Sequence, residues 1–172
     1  MDKFMEKFNR ILSVSTIVCF GTLIFLTHSV QASSKSASAS VEIFQQIAVS
    51  EPQSINFGSI SAAAEGDTIS IQPDGTVTTQ NGSTISGGSV SPGQFAAAGS
   101  PNASINISFT DGTLTGSGPA MQISNFQHNA GGTPTFDEEG NITFNVGADL
   151  IINSGQVAGS YSGTYEVSIS YP

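Results

Sequence analysis

Apolar and polar residues alternate along most of this chain with a period of two. From Ala37 onward, Ala39, Val41 and Ile43 fall on one face and Ser38, Ser40 and Glu42 on the other. Phe44 breaks that phase and Ile47 and Val49 resume it, which predicts a bulge or the joint between two strands before Pro52 ends the run. Ile55 and Phe57 open the next strand, stopped by Gly58. Ile69 and Ile71 lie in another, followed by the turn tripeptide Pro73-Asp74-Gly75 and then Val77. Weaker, glycine-interrupted strands are predicted near Ile85 to Val90 and Gln94 to Ala98. Ile105, Ile107 and Phe109 alternate cleanly and stop at Asp111-Gly112, a hairpin signal leading into Leu114. Met121 and Ile123 form a short strand with Phe126 just beyond. After a turn at Asp137 to Asn141, Ile142, Phe144, Val146 and Ala148 share a face that runs on to Leu150 and Ile152.

The last strand is the clearest. Tyr161, Gly163, Tyr165, Val167, Ile169 and Tyr171 face one way, against Ser162, Thr164, Glu166, Ser168 and Ser170. One buried and one wet face per strand is what an antiparallel sandwich requires. Roughly nine short strands at regular spacing predict an all-β fold, an immunoglobulin-like antiparallel β-sandwich forming one domain over 33–172.

Residues 1–32 obey a different rule. Lys3, Lys7 and Arg10 precede an apolar run from Ile11 to Leu26, and Val30-Gln31-Ala32 offers the small residues of a cleavage site. That order describes a secretory signal peptide, so the protein is expected to be exported to the periplasm, cell surface or medium. Its removal takes Lys3, Lys7 and Arg10 with Asp2 and Glu6, a net +1, so the total of −9 becomes −10, with Lys35 the only remaining lysine or arginine. Nucleic acid is excluded as a partner, because phosphate binding needs clustered lysine and arginine. Cys19, the single cysteine, lies in the apolar run, so the mature domain must hold together by packing and strand pairing.

Four motifs carry a resemblance. Ser54-Ile55-Asn56-Phe57-Gly58-Ser59-Ile60, Ile69-Ser70-Ile71-Gln72-Pro73-Asp74-Gly75, Met121-Gln122-Ile123-Ser124-Asn125-Phe126 and Gly159-Ser160-Tyr161-Ser162-Gly163-Thr164-Tyr165 stand in order along nearly all of the mature chain. Together they resemble the exported bacterial domains called domain of unknown function 4402. That resemblance implies an immunoglobulin-like sandwich, export and a link to fimbria-like surface proteins; it implies no activity. The C-terminal strand also resembles that of chaperone–usher pilus subunits, which alternate apolar residues back from a penultimate aromatic to a glycine. Here Tyr171, Ile169, Val167, Tyr165 and Gly159 fill those places. Two departures stand against it: such subunits usually carry a disulfide, and only Ser33 to Ser40 precede the first strong strand.

Candidate chemistry is sparse. His128 is the only mature histidine and is expected on a loop between Asn125 and Asn129. Asp137-Glu138-Glu139-Gly140-Asn141 lacks the alternating spacing of a calcium loop and reads as a hairpin tip. No nucleophile elbow and no tryptophan occur, so neither a catalytic residue nor a cofactor or metal site is expected. Two functions remain. The first is a non-enzymatic fimbria-like or surface structural protein that pairs strands with identical subunits or a periplasmic chaperone. Its working residues would be Gly159, Tyr165, Val167, Ile169 and Tyr171 at one end, and Ala37, Ala39, Val41 and Ile43 at the other. These last four are either a donor strand for a neighbour or the domain's own first strand. The second is a self-contained secreted domain that binds a glycan or host surface through loops at Thr79 to Gly93 and Asn125 to Pro134.

Overall fold

A computed structural model describes residues 33–172; the expected signal peptide and Cys19 lie outside the described residues. Ten strands follow in order: β1 (Ala48–Gln53), β2 (Asn56–Ser61), β3 (Asp67–Ile71), β4 (Val77–Thr79), β5 (Thr84–Ser91), β6 (Gly93–Ala98), β7 (Asn106–Gly116), β8 (Met121–His128), β9 (Asn141–Ile152) and β10 (Tyr161–Ser170). All lie in the compact unit Glu42–Pro172, and there is no helix among the described residues. The all-β antiparallel sandwich expected from the alternation is present, curled towards a barrel.

The larger sheet runs β1-β6-β9-β8-β7-β10, with β3 also on β9 and β4 on β3; β2 and β5 pair only with each other. β9 organises it. Its first half pairs with β6, its second half with β3, and its other edge takes β8. The handover from β6 to β3 falls at Gly147, where a Cβ would strike the Ile71 carbonyl. Two bulges continue that bend across the sheet. In β8, Asn125 and Phe126 stand opposite the single Ala148, and Asn125 takes the left-handed φ of 52° that such a bulge asks of it. In β7, Asp111 and Gly112 stand opposite the single Tyr165 of β10. The line of kinks folds β7 and β10 over until their inner residues meet β6.

Three apolar clusters fill the space so enclosed. Phe57 of β2 covers Ile69, Ile71, Met121, Ile123, Leu150 and Ile152. Phe95, Phe144 and Val146 pack against Ile107, Phe109, Tyr165, Val167 and Ile169. Ala97, Ile105 and Phe136 close the end of the molecule beneath Tyr171.

Several expectations change. Asp111-Gly112 is no hairpin turn, since β7 runs through it; the pair is a bulge, and a Cβ on Gly112 would run into the Thr164 carbonyl. The first strand is not Ala37 to Val49 but β1, which starts at Ala48 and passes through Pro52. Pro52 is tolerated because β1 ends the sheet and its ladder is interrupted between Ser50 and Gln53. His128 closes β8 rather than sitting in a loop, with its ring 6.0 Å from that of Phe144. Most of Thr79 to Gly93 is likewise strand, namely β5.

Candidate strand-pairing site

Alternation along β10 places Tyr165, Val167 and Ile169 half-buried on its inner face, with Glu166 and Ser168 outside. Tyr165 sits at the β7 bulge. Its ring stacks on Phe126 at 4.9 Å and meets Phe95 edge-on at 6.2 Å, and its hydroxyl lies 3.3 Å from Glu51 Oε1. Burial pushes the Tyr165 phenol well above the usual tyrosine range, and the Glu51 carboxylate pushes the same way. Tyr171, just past β10, stacks on Phe44 at 4.5 Å, donates its hydroxyl to the Gln45 carbonyl at 2.8 Å and accepts the Ser100 amide at 2.8 Å. Gly159 lies in the turn before β10, against Ser117.

The five C-terminal residues singled out from the sequence are thus gathered on or beside one strand. The four N-terminal ones are not part of a strand. Residues 33–47 contain none, and Val41 and Ile43 are 84% and 85% exposed. The alternative in which Ala37, Ala39, Val41 and Ile43 form the domain's own first strand is therefore corrected. Two alanines and two aliphatics expose too little apolar surface to repay the ordering of seven residues.

β10 pairs on one side with β7 and ends the sheet on the other. Beside that free edge runs a groove of about 930 Å³, walled by residues 159–165 on one side and 54–62 on the other. Its floor is apolar: Leu114, Met121, Ile123, Leu150 and Ile152. β2, the opposite wall, pairs only with β5. The sequence motif Ser54 to Ile60 marked that stretch, but not that it faces β10 across an opening. A second recess of about 420 Å³ lies between Ser104 to Ile107, His128 and Gly131 to Pro134.

One buried polar cluster escaped sequence reasoning. Asp67 is 4% exposed; its Oδ1 accepts the amides of Gln80 (2.9 Å) and Asn81 (2.7 Å), and its Oδ2 that of Ser83 (2.8 Å). Burial alone would raise its pKa. The Ser83 hydroxyl and amide with the amides of Asn81 and Gln80 outweigh that, and the carboxyl is held far below the usual range. The cluster pins the β4–β5 connection. Its signal was available, because Asp67 shares the phase of Ile69 and Ile71 and so had to point inward. Asp137 is engaged in the same way, by the amides of Glu139 and Asn141. Among the described residues no three acidic, histidine or cysteine side chains cluster as metal ligands, and no helix is long and apolar enough to cross a membrane.

The fold defines a class: an antiparallel sandwich whose described part has no cysteine and whose last strand leaves one edge unpaired beside an apolar-floored groove. Residues 47–171 match the family model described as domain of unknown function (DUF4402), and the chain belongs to that family. Comparison with curated proteins and with solved structures finds no match.

Proposed function

We propose that this protein is an exported, non-enzymatic surface subunit of fimbria-like character that works by β-strand pairing along β10. The observation that carries the reading is the free edge of β10 beside the groove. A strand end left open is a template for another chain, and proteins that must stay single guard such edges with lysine, proline or a covering segment. β10 has no lysine and no proline, and Glu166 is its only charge. Identical subunits or a periplasmic chaperone are the partners this chemistry suits. A self-contained binding domain is the second reading, favoured by the recess at His128 and Gly131 to Pro134.

Sedimentation velocity of the chain from Ser33, at rising concentration and after recovery from the exporting cell, tests the first reading. Concentration-dependent oligomers are expected, and the double substitution Ser162→Lys with Thr164→Lys should abolish them. Both side chains are exposed on the outer face, so the melting temperature should not move. A chain that stays monomeric under every condition overturns the proposal; saturable glycan binding by that monomer, lost on His128→Ala, would put the second reading in its place.

A further inference from the structure

We infer that Asn81 is a site of spontaneous covalent modification, deamidation across the Asn81-Gly82 pair, and that the buried Asp67 cluster sets its rate. The inference does not depend on strand pairing. Asn81-Gly82 is the only asparagine–glycine pair in the chain; every other asparagine is followed by a residue whose side chain crowds the next amide nitrogen. Both residues are exposed in the connection from β4 to β5. Gly82 has the left-handed φ of 86°, and nothing lies within 4 Å of where a Cβ would stand. Asp67 takes the amides of Gln80, Asn81 and Ser83, but not that of Gly82. Asn153, which precedes the small Ser154, is held differently: its side-chain amide is tied to the Ala120 carbonyl at 3.0 Å and to Gln156 Oε1 at 2.9 Å.

The reaction needs only water. The Gly82 nitrogen gives its proton to solvent and bonds to Asn81 Cγ, and the side-chain nitrogen takes up a proton and leaves as ammonia. The result is a cyclic succinimide. Water then breaks one of the two bonds from the ring carbonyls to the Gly82 nitrogen. Opening at Cγ gives aspartate; opening at the main-chain carbonyl gives isoaspartate, with the chain rerouted through the side chain. Ring closure has to undo existing bonds, because Asn81 Nδ2 donates to the Gly66 carbonyl at 3.1 Å and the Asn81 amide to Asp67 at 2.7 Å. A local opening of this connection releases both without unfolding the molecule. The product does not restore them. A carboxylate at position 81 would turn an acceptor towards the Gly66 carbonyl and set a second negative charge beside Asp67. Isoaspartate would also lengthen the main chain between the amides of residues 81 and 83. β2 pairs only with β5, so loosening the start of β5 carries through to β2.

Ageing the chain from Ser33 in warm, weakly alkaline buffer tests this, with the product read by fragmentation mass spectrometry and isoelectric focusing. One NH2 should be exchanged for OH at position 81, isoaspartate should exceed aspartate, and the band should move to the acidic side, while Asn153 stays intact. Asn81→Gln, whose longer side chain closes a larger ring far more slowly, should age without the change. Asp67→Asn should speed the reaction several-fold. Ser83→Ala, which removes one hydrogen bond to the same carboxylate, should speed it in the same direction and replaces Asp67→Asn if that variant does not fold. Gly112→Ala, a destabilising change in β7 rather than in the Asp67 cluster, should leave the rate near that of wild type. An Asn81 that survives in the folded chain after it has reacted fully in urea overturns the inference. So does a rate unchanged by loosening the Asp67 cluster, or one raised equally by Gly112→Ala, since whole-molecule unfolding and not the cluster would then control the site.

Discussion

Asp67 shows how one side chain can hold a connection that no ladder reaches. Gln80, Asn81 and Ser83 turn their amides inward because a carboxylate sits there to accept them, and Ser83 in turn accepts the Ala63 amide on its hydroxyl. Asp67→Asn replaces one acceptor oxygen with an NH2 facing donors, which leaves a buried amide unpaired. The variant should lose several degrees of melting temperature. The sign of the pH effect follows from the lowered pKa. The stabilising contribution is fully present above the ordinary aspartate value of 3.8 and is lost as pH falls from there towards the much lower folded value. In urea melts the stability gap between wild type and Asp67→Asn should therefore be smaller at about pH 2.5 than at pH 6; a constant gap would refute this role for the carboxylate.

At the scale of elements, the kinks in β7, β8 and β9 turn a flat sheet into a curved one. Gly112 has no room for a side chain under the Thr164 carbonyl, as Gly147 has none under that of Ile71. Gly112→Ala should cost about 1–3 kcal/mol, the usual range for a forced backbone shift. Gly132→Ala meets nothing within 4 Å and should change stability by less than about 0.5 kcal/mol. Denaturant melts of the pair check both. β9 and β10 were legible in the sequence because their apolar residues keep one phase over long runs, and the short β3 because Ile69 and Ile71 stand just before the turn Pro73-Asp74-Gly75. β7 was misread for a physical reason: Asp-Gly suits a tight turn and a bulge equally, and the difference is set by β10, more than forty residues later. β1 was misplaced because alternation between alanine and serine looks like a strand without supplying the burial that fixes one. At the candidate site the β10 face was legible, but the groove was not. It exists only where β2 and β10 stop short of each other, and a gap between elements distant in sequence leaves no local pattern.

For the molecule as a whole, the hydrogen-bonded ladders join distant parts of the chain, with β1 on β6, β3 on β9 and β7 on β10. Ordering so many long loops before contacts form favours slow folding. The two ends of the folded body nevertheless meet, where Phe44 lies on Tyr171 and Gln45 accepts its hydroxyl. That contact makes the order of the strands along the chain a matter of connection rather than of architecture. Joining Pro172 to Phe44 through a short flexible linker and opening the chain between Gly131 and Gly132 would cut no ladder, and such rearrangements succeed at exposed loops of this kind. The permuted protein should melt within a few degrees of its parent and give the same circular dichroism spectrum. Its new ends would lie at the His128 recess, which Pro172 already lines, so the free termini would stay at the same part of the surface.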